Sequence, residues 1–278
     1  MKKNLNVTII GLGHIGGSLA SSLKQTHGSK ILLNGIDKSN STIKKAKKSN
    51  LFSEVSTLKL NTKIQKSDIV FLASSIQSMP QLFSELAKIN FEKKVVISDV
   101  GSVKHEVFKA AKRLLPKQFD FVGGHPIAGT EKIGFANLVE GLFDGKPVFV
   151  SGTRADRTSI AMIVKIWESL GSSVYFVSPE KHDKIFGYLS HLPHILAFGL
   201  KNMVNKSLSK AELVKYGGTS YRDYSRISQS SEDLWSEIFL SNRKNLLKTI
   251  KDFKKYLDKL EGLLNHNSKE KVKKHLKS

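Results

Sequence analysis

One histidine in this 278-residue chain stands in a setting built for chemistry: Val122-Gly123-Gly124-His125-Pro126-Ile127-Ala128-Gly129-Thr130-Glu131. A neutral imidazole accepts a proton near pH 7, so His125 is a candidate general base. The glycine pair and the proline read as a tight turn closing the apolar strand 119–122. Such a turn lets backbone approach a ligand closely, and it serves equally as a structural corner around a hydrogen-bonded histidine. Ser102 ends an earlier apolar run, and its hydroxyl can face a ligand or cap the helix that follows. Arg222 and Arg226 lie four apart in a glycine-started loop, where a guanidinium grips a carboxylate bidentately or pairs with Asp223 or Glu232 at the surface. His191 and His194 fall on one helix face with Pro193 between them, which should kink or break that helix. With no cysteine, no H-E-x-x-H and no carboxylate partner, this pair is not expected to hold a metal.

A cofactor site is written at the N-terminus. The β-branched run 6–10 leads into Gly11-Leu12-Gly13-His14-Ile15-Gly16, then an amphipathic stretch, then the apolar run 31–36 ending at Asp37. Strand, glycine loop, helix, strand and acid at this spacing describe a dinucleotide site. The glycines admit the pyrophosphate to a helix N-terminus, and the acid accepts the ribose hydroxyls. Gly11, Gly13 and Gly16 carry the loop. His14 and Ile15 fill it, with His14 read as a variable loop residue. Asp37 would repel a 2′-phosphate, so NAD is expected over NADP.

The elements that position these residues alternate. Strands are expected at 68–74, 95–100, 119–122, 147–151 and 174–177, with helices between them. Ligands bind outside the C-terminal ends of strands in such sheets, so Ser74 and Ser75 should face the cofactor with Ser102. Strand character stops after residue 178, and only helical periodicity follows. The expected fold is a Rossmann-type α/β domain with a doubly wound parallel sheet, residues 1–179, followed by an all-α domain, residues 180–278. The lysine-rich end, 269–277, reads as a frayed tail.

Composition narrows the class. The chain is 40% hydrophobic and 25% charged, as soluble globular proteins are, and the lack of cysteine excludes disulfides and thiolate chemistry. No run is long and apolar enough for a membrane span, and the glycine-broken N-terminus lacks the features of a signal peptide. A cytoplasmic protein is expected. The net charge of +21 comes from lysines spread thinly along the chain without interleaved aromatics, so nucleic acid is not an expected partner. The field instead favours anionic small molecules.

The ordered set Gly11-x-Gly13-x-x-Gly16, Asp99-Val100-Gly101-Ser102-Val103-Lys104, Gly123-Gly124-His125-Pro126-Ile127-Ala128-Gly129-Thr130-Glu131 and Ser190-His191-Leu192-Pro193-His194 resembles the prephenate dehydrogenases. The match is closer to the cyclohexadienyl type than to the plant type. Residues 222–227 are similar to that family's R-D-x-T-R-I-A segment, with Ser225 and Ser228 in place of Thr and Ala. The resemblance runs from residue 7 to about 264 and implies NAD-dependent oxidative decarboxylation of prephenate to 4-hydroxyphenylpyruvate in tyrosine biosynthesis. The aminated analogue, arogenate, would give tyrosine directly. It further implies that His125 accepts the proton of the ring hydroxyl, with Ser102 bonded to that hydroxyl or to His125. Arg226 would anchor a substrate carboxylate. His194, with Ser190 and His191, would line the substrate pocket, and Glu131 would gate the cleft or pair with an arginine. A homodimer through the helical half is implied, with neither a chorismate mutase domain nor an ACT domain in this chain.

Overall fold

The computed structural model describes residues 4–60, 63–129, 132–266 and 268–277. Thr130 and Glu131 lie outside the described residues, and with them the gating expectation for Glu131.

Eight strands form one sheet: β1 (Leu5–Ile10), β2 (Ile31–Ile36), β3 (Glu54–Ser56), β4 (Ile69–Leu72), β5 (Val96–Asp99), β6 (Asp120–Pro126), β7 (Pro147–Arg154) and β8 (Ser173–Phe176). Their order is β3-β2-β1-β4-β5-β6-β7-β8. The helices α1 (His14–His27), α2 (Asn40–Lys48), α3 (Met79–Leu86), α4 (His105–Leu114) and α5 (Arg157–Ser169) connect the strands. The chain continues as α6 (Pro179–Phe186), α7 (Leu192–Ser207), α8 (Lys210–Tyr216), α9 (Thr219–Ile227), α10 (Glu232–Ser241), α11 (Arg243–Asn265) and α12 (Lys269–Leu276).

β1 to β6 pair in parallel, as continuous β-branched runs buried on both faces should. The expected doubly wound parallel sheet forms, with one antiparallel pairing in it. β7 runs antiparallel to β6, and β8 follows β7 in parallel. A parallel return needs a crossover, usually helical. The connection from Pro126 to Pro147 holds only a 3-10 turn, Phe135–Asn137, among its described residues. The core beneath is aliphatic, with Trp167 set edge-on against Phe71 and Phe143.

The glycine-histidine stretch is a strand, not the turn its composition suggests. Gly123, Gly124, His125 and Pro126 pair with Ser151, Val150, Phe149 and Val148 of β7. The glycines serve close packing. A Cβ on Gly124 would lie 2.7 Å from the Asp99 carbonyl oxygen, and one on Gly123 would lie 2.5 Å from the Phe108 ring.

Helix α4 is held at both ends by side chains distant in sequence. Asp183 accepts from the Lys104 N–H at 2.8 Å and from the His105 N–H at 2.9 Å. At the other end the Arg154 guanidinium donates to the carbonyls of Ala111, Leu115 and Pro116. These bonds satisfy orphan groups that every helix leaves at its termini. The cap expected from Ser102 does not form. α4 begins at His105 with Lys104 at the cap position and no local side-chain cap. Ser102 stays in the loop two residues before the cap position.

The chain divides into two compact units, Met1–Asp183 with Gln229–Ser241, and Lys184–Ser228 with Asn242–Ser278. The first thus takes in α10, which packs on the 3-10 turn Ile76–Ser78. In the second unit the segment Gly187–His191 is a π-helical turn leading into α7. Pro193 is the second residue of α7, directly after the π-helical turn, and the helical run continues past it unbroken. Residues 219–227, expected as a loop, are helix α9. Gly217 and Gly218 end α8 and start α9, and that is the whole of their loop character. The lysine-rich end forms α12, where His275 stacks on Tyr256 at 4.4 Å.

Candidate active site

Neighbouring strands β1, β4, β5 and β6 bring their C-terminal ends to one edge of the sheet. The glycine loop follows β1, Ser74 and Ser75 follow β4, Ser102 follows β5, and His125 lies near the end of β6. Asp37 follows β2. Ligands of open α/β sheets bind at this edge.

The glycine loop fits a dinucleotide, each glycine for a different reason. Gly11 has φ +93°, and a Cβ there would meet the Ala73 carbonyl at 2.5 Å and the Ser74 hydroxyl at 2.6 Å. A Cβ on Gly16 would lie 1.9 Å from the Gly11 carbonyl. Gly13 has nothing within 4 Å of its would-be Cβ, and it caps α1 without a side-chain acceptor. The open space and the uncapped N–H groups suit an anion. The Asp37 carboxylate is fixed by Leu12 N–H and Ser39 N–H, both at 2.8 Å, and its remaining lone pairs can accept ribose hydroxyls. His14 needs correcting. It is the first residue of α1, buried, with Nδ1 donating to the Asn137 carbonyl at 2.7 Å, so it anchors the β6–β7 connection. Ile15 is half-buried in α1 beside it.

These contacts separate two glycine variants. Gly13→Ala is expected to fold normally, its φ of −74° being open to any residue, but to weaken NAD⁺ binding by on the order of tenfold. Gly16→Ala is expected to lose stability as well, because its methyl must displace backbone. Fluorescence titration with NAD⁺ and a denaturation curve for each variant check both outcomes. Equal affinity of Gly13→Ala and wild type would refute the loop's role.

His125 is buried, and its Nδ1 lies 2.8 Å from Nε2 of His182. His182 Nδ1 lies 2.8 Å from the Asp183 carboxylate. Burial lowers the His182 pKa, outweighing the hydrogen bond to Asp183, which raises it; the nearby Lys104 ammonium lowers it further. Beside this chain lies a buried ion pair of Asp99 and Lys104, both fully buried. Asp99 also accepts from Gly101 N–H at 3.0 Å and from Gly124 N–H at 3.2 Å, which ties the pair to the backbone next to His125. None of Asp99, Lys104, His182 and Asp183 was expected in the site. The Ser102 hydroxyl, half-buried, has no hydrogen bond among the described residues, and Ser75 is exposed. Ser74 donates to the Ile10 carbonyl at 3.4 Å.

The second unit carries the remaining expected residues. Ser190 and His191 belong to the π-helical turn, a feature that recurs at functional sites. His191 is buried and is held by the Asn242 amide at 2.9 Å, which packs the turn on α11. His194 donates from Nδ1 to the Ser190 carbonyl at 2.9 Å, and burial lowers its pKa, which favours the neutral imidazole. Arg226 is exposed on α9, and neither it nor Arg222 has a carboxylate partner among the described residues. The alternative of a surface ion pair with Asp223 or Glu232 does not form. Among the described residues no group of His, Asp and Glu could hold a metal ion, and no helix is long and apolar enough to cross a membrane.

Residues 19–176 match the family model of the prephenate dehydrogenase nucleotide-binding domain, and residues 178–278 match the prephenate dehydrogenase dimerization domain. A cyclohexadienyl dehydrogenase of Zymomonas mobilis is 31% identical over 98% of this chain and 92% of its own length. The structure of prephenate dehydrogenase from Aquifex aeolicus in complex with hydroxyphenyl propionate and NAD⁺ superimposes with a TM-score of 0.88 at 34% identity, covering 98% of this chain and 95% of that one. The Synechocystis arogenate dehydrogenase structure gives 0.81 at 27%, covering 98% and 96%. The chain belongs to the prephenate dehydrogenase family.

Proposed function

We propose that this protein oxidises prephenate with NAD⁺, releasing CO₂ and 4-hydroxyphenylpyruvate in tyrosine biosynthesis, with His125 as the proton acceptor. The observation that carries the reading is His125 itself. It is buried beside the sheet edge where the glycine loop and Asp37 meet the requirements of a dinucleotide, and its Nδ1 is engaged by another imidazole. NAD⁺ supplies the two-electron acceptor for the carbinol C–H. His125 Nε2 takes the hydroxyl proton as the carbon is oxidised. The C–C bond to the ring carboxylate then breaks, its electron pair makes the ring aromatic, and His125 returns the proton to the phenolate oxygen. No net proton is released, and the imidazole ends as it began. Ser102 orients the hydroxyl or His125, Arg226 grips a carboxylate, and Ser190, His191 and His194 contribute to the substrate pocket.

Support for a homodimer comes from the dimerization-domain match and from exposed apolar side chains of the second unit such as Leu189, Val214 and Tyr216. Sedimentation at micromolar concentration is expected to give the mass of two chains. A cytoplasmic location follows from the same reading.

Absorbance at 340 nm on mixing protein, NAD⁺ and prephenate tests the function, with arogenate and NADP⁺ as parallel arms. NADH formation with prephenate is expected. Activity with arogenate alone would move the substrate to the aminated analogue, and silence with both would overturn the reading. Arg226→Ala is expected to raise KM for prephenate by about 10²-fold, the loss of a charge-assisted bidentate contact, with the folded state unchanged.

A further inference from the structure

We infer that His182 and Asp183 are positioning residues that fix the tautomer of His125, in a buried His125–His182–Asp183 chain. The inference rests on the reading of His125 as proton acceptor and extends it to the two residues hydrogen-bonded in series behind its Nδ1.

The direction of the hydrogen bonds follows from what each atom can do. The two oxygens of Asp183 accept from the Lys104 and His105 N–H groups, so the carboxylate acts as an acceptor. His182 Nδ1, 2.8 Å from Asp183 Oδ1, must then carry a hydrogen. A neutral imidazole with hydrogen on Nδ1 has a lone pair on Nε2. His182 Nε2 therefore accepts, and His125 Nδ1 at 2.8 Å donates. A neutral His125 with its hydrogen on Nδ1 has its lone pair on Nε2, the state required of a base. A charged His182 would reverse the last bond, place the His125 hydrogen on Nε2 and disable it. Burial keeps His182 neutral against the pull of Asp183, and the charges around it are Asp183, Lys104 and Asp99. Once His125 takes the substrate proton, its Nδ1–H bond to His182 becomes charge-assisted and strengthens. The chain thus favours the protonated intermediate as well as orienting the base.

Asp183 does a second thing with the same carboxylate. Through the N–H groups of Lys104 and His105 it starts α4, so the tautomer of His125 is referenced to a helix end, not to a mobile side chain. A lone carboxylate on a surface loop would not give that rigidity.

The test compares three variants of the full-length protein. His182→Leu removes both hydrogen bonds and is expected to lower kcat by about 10²-fold with little change in KM for prephenate or NAD⁺. His182→Gln keeps an acceptor toward His125 and a donor toward Asp183, and is expected to recover activity to within about tenfold of wild type. Imidazole ¹⁵N chemical shifts give a readout independent of turnover. Wild type is expected to hold His125 with its hydrogen on Nδ1, and His182→Leu to show the Nε2–H tautomer. Full activity of folded His182→Leu, equal loss in the Gln and Leu variants, or an unchanged His125 tautomer in His182→Leu would each overturn the inference. Should His182→Leu fail to fold, the tautomer and rate of His182→Gln decide alone. His125→Asn separates the two levels. If it is active, the base itself is misassigned. If it is inactive while His182→Leu is active, only the positioning chain fails.

Discussion

His125→Asn is expected to lower kcat by about 10³-fold, within the range that a positioned acid–base group contributes, while KM for prephenate and NAD⁺ changes little. Asparagine is close in size, and its amide can still meet His182 across the 2.8 Å spacing seen for Nδ1. What it loses is the basic nitrogen. The loss should fall on the chemical step, so a deuterium isotope effect from prephenate labelled at the carbinol carbon should grow in the variant. Steady-state kinetics and a fluorescence titration of NAD⁺ measure the two sides of this expectation. A variant that turns over within tenfold of wild type would return His125 to a structural role in β6.

The largest expected stability effect lies on the neighbouring strand end, in the pair of Asp99 and Lys104 beside His125. Lys104→Met strands the Asp99 carboxylate in the interior with only the N–H groups of Gly101 and Gly124 as partners. Removing one member of a buried pair costs about 3–5 kcal/mol, because the remaining charge stays desolvated. Adding Asp99→Asn to Lys104→Met discharges the stranded group while keeping an acceptor for one of the two N–H groups, which meet different oxygens of Asp99. The double variant should regain more than half of the loss. Chemical denaturation followed by circular dichroism reads both, and a loss below about 1 kcal/mol in Lys104→Met would mean that the pair is not held as seen. Because Gly124 N–H bonds Asp99, the single variant should also slow catalysis by loosening the backbone beside His125.

Much of this was legible in the sequence, for identifiable reasons. The glycine loop and Asp37 are local, so their spacing alone places them. The apolar runs mark seven of the eight strands, and β3 escapes because Glu54–Ser56 is three residues with one apolar side chain. The turn read into Gly123-Gly124-His125-Pro126 failed because glycine answers two demands. It permits unusual dihedrals and it vacates the Cβ position, and only the Asp99 carbonyl and the Phe108 ring reveal which applies here. The antiparallel β7 does carry a signal in the sequence. The stretch between Pro126 and Pro147 is crowded with glycine and has no helical period, which argues against a crossover. His182 and Asp183 had no signal at all. They lie 57 and 79 residues from His125 and Lys104, and no local spacing joins groups that meet only through the fold.

That remoteness bears on how the enzyme can be taken apart. Helix α4 starts on Asp183 and ends on Arg154, and His125 leans on His182, so the nucleotide-binding half borrows its last fasteners from a helix that begins at Pro179. A nascent chain must leave the ribosome past residue 183 before the strand that carries His125 has these hydrogen-bond partners. A fragment cut at residue 176, where the nucleotide-binding family model stops, would keep the glycine loop and His125 but not the residues that aim it. The seam between the family's two modules therefore does not coincide with the seam of the chemistry. Swapping the second half between relatives would exchange His182 and Asp183 along with the helical domain.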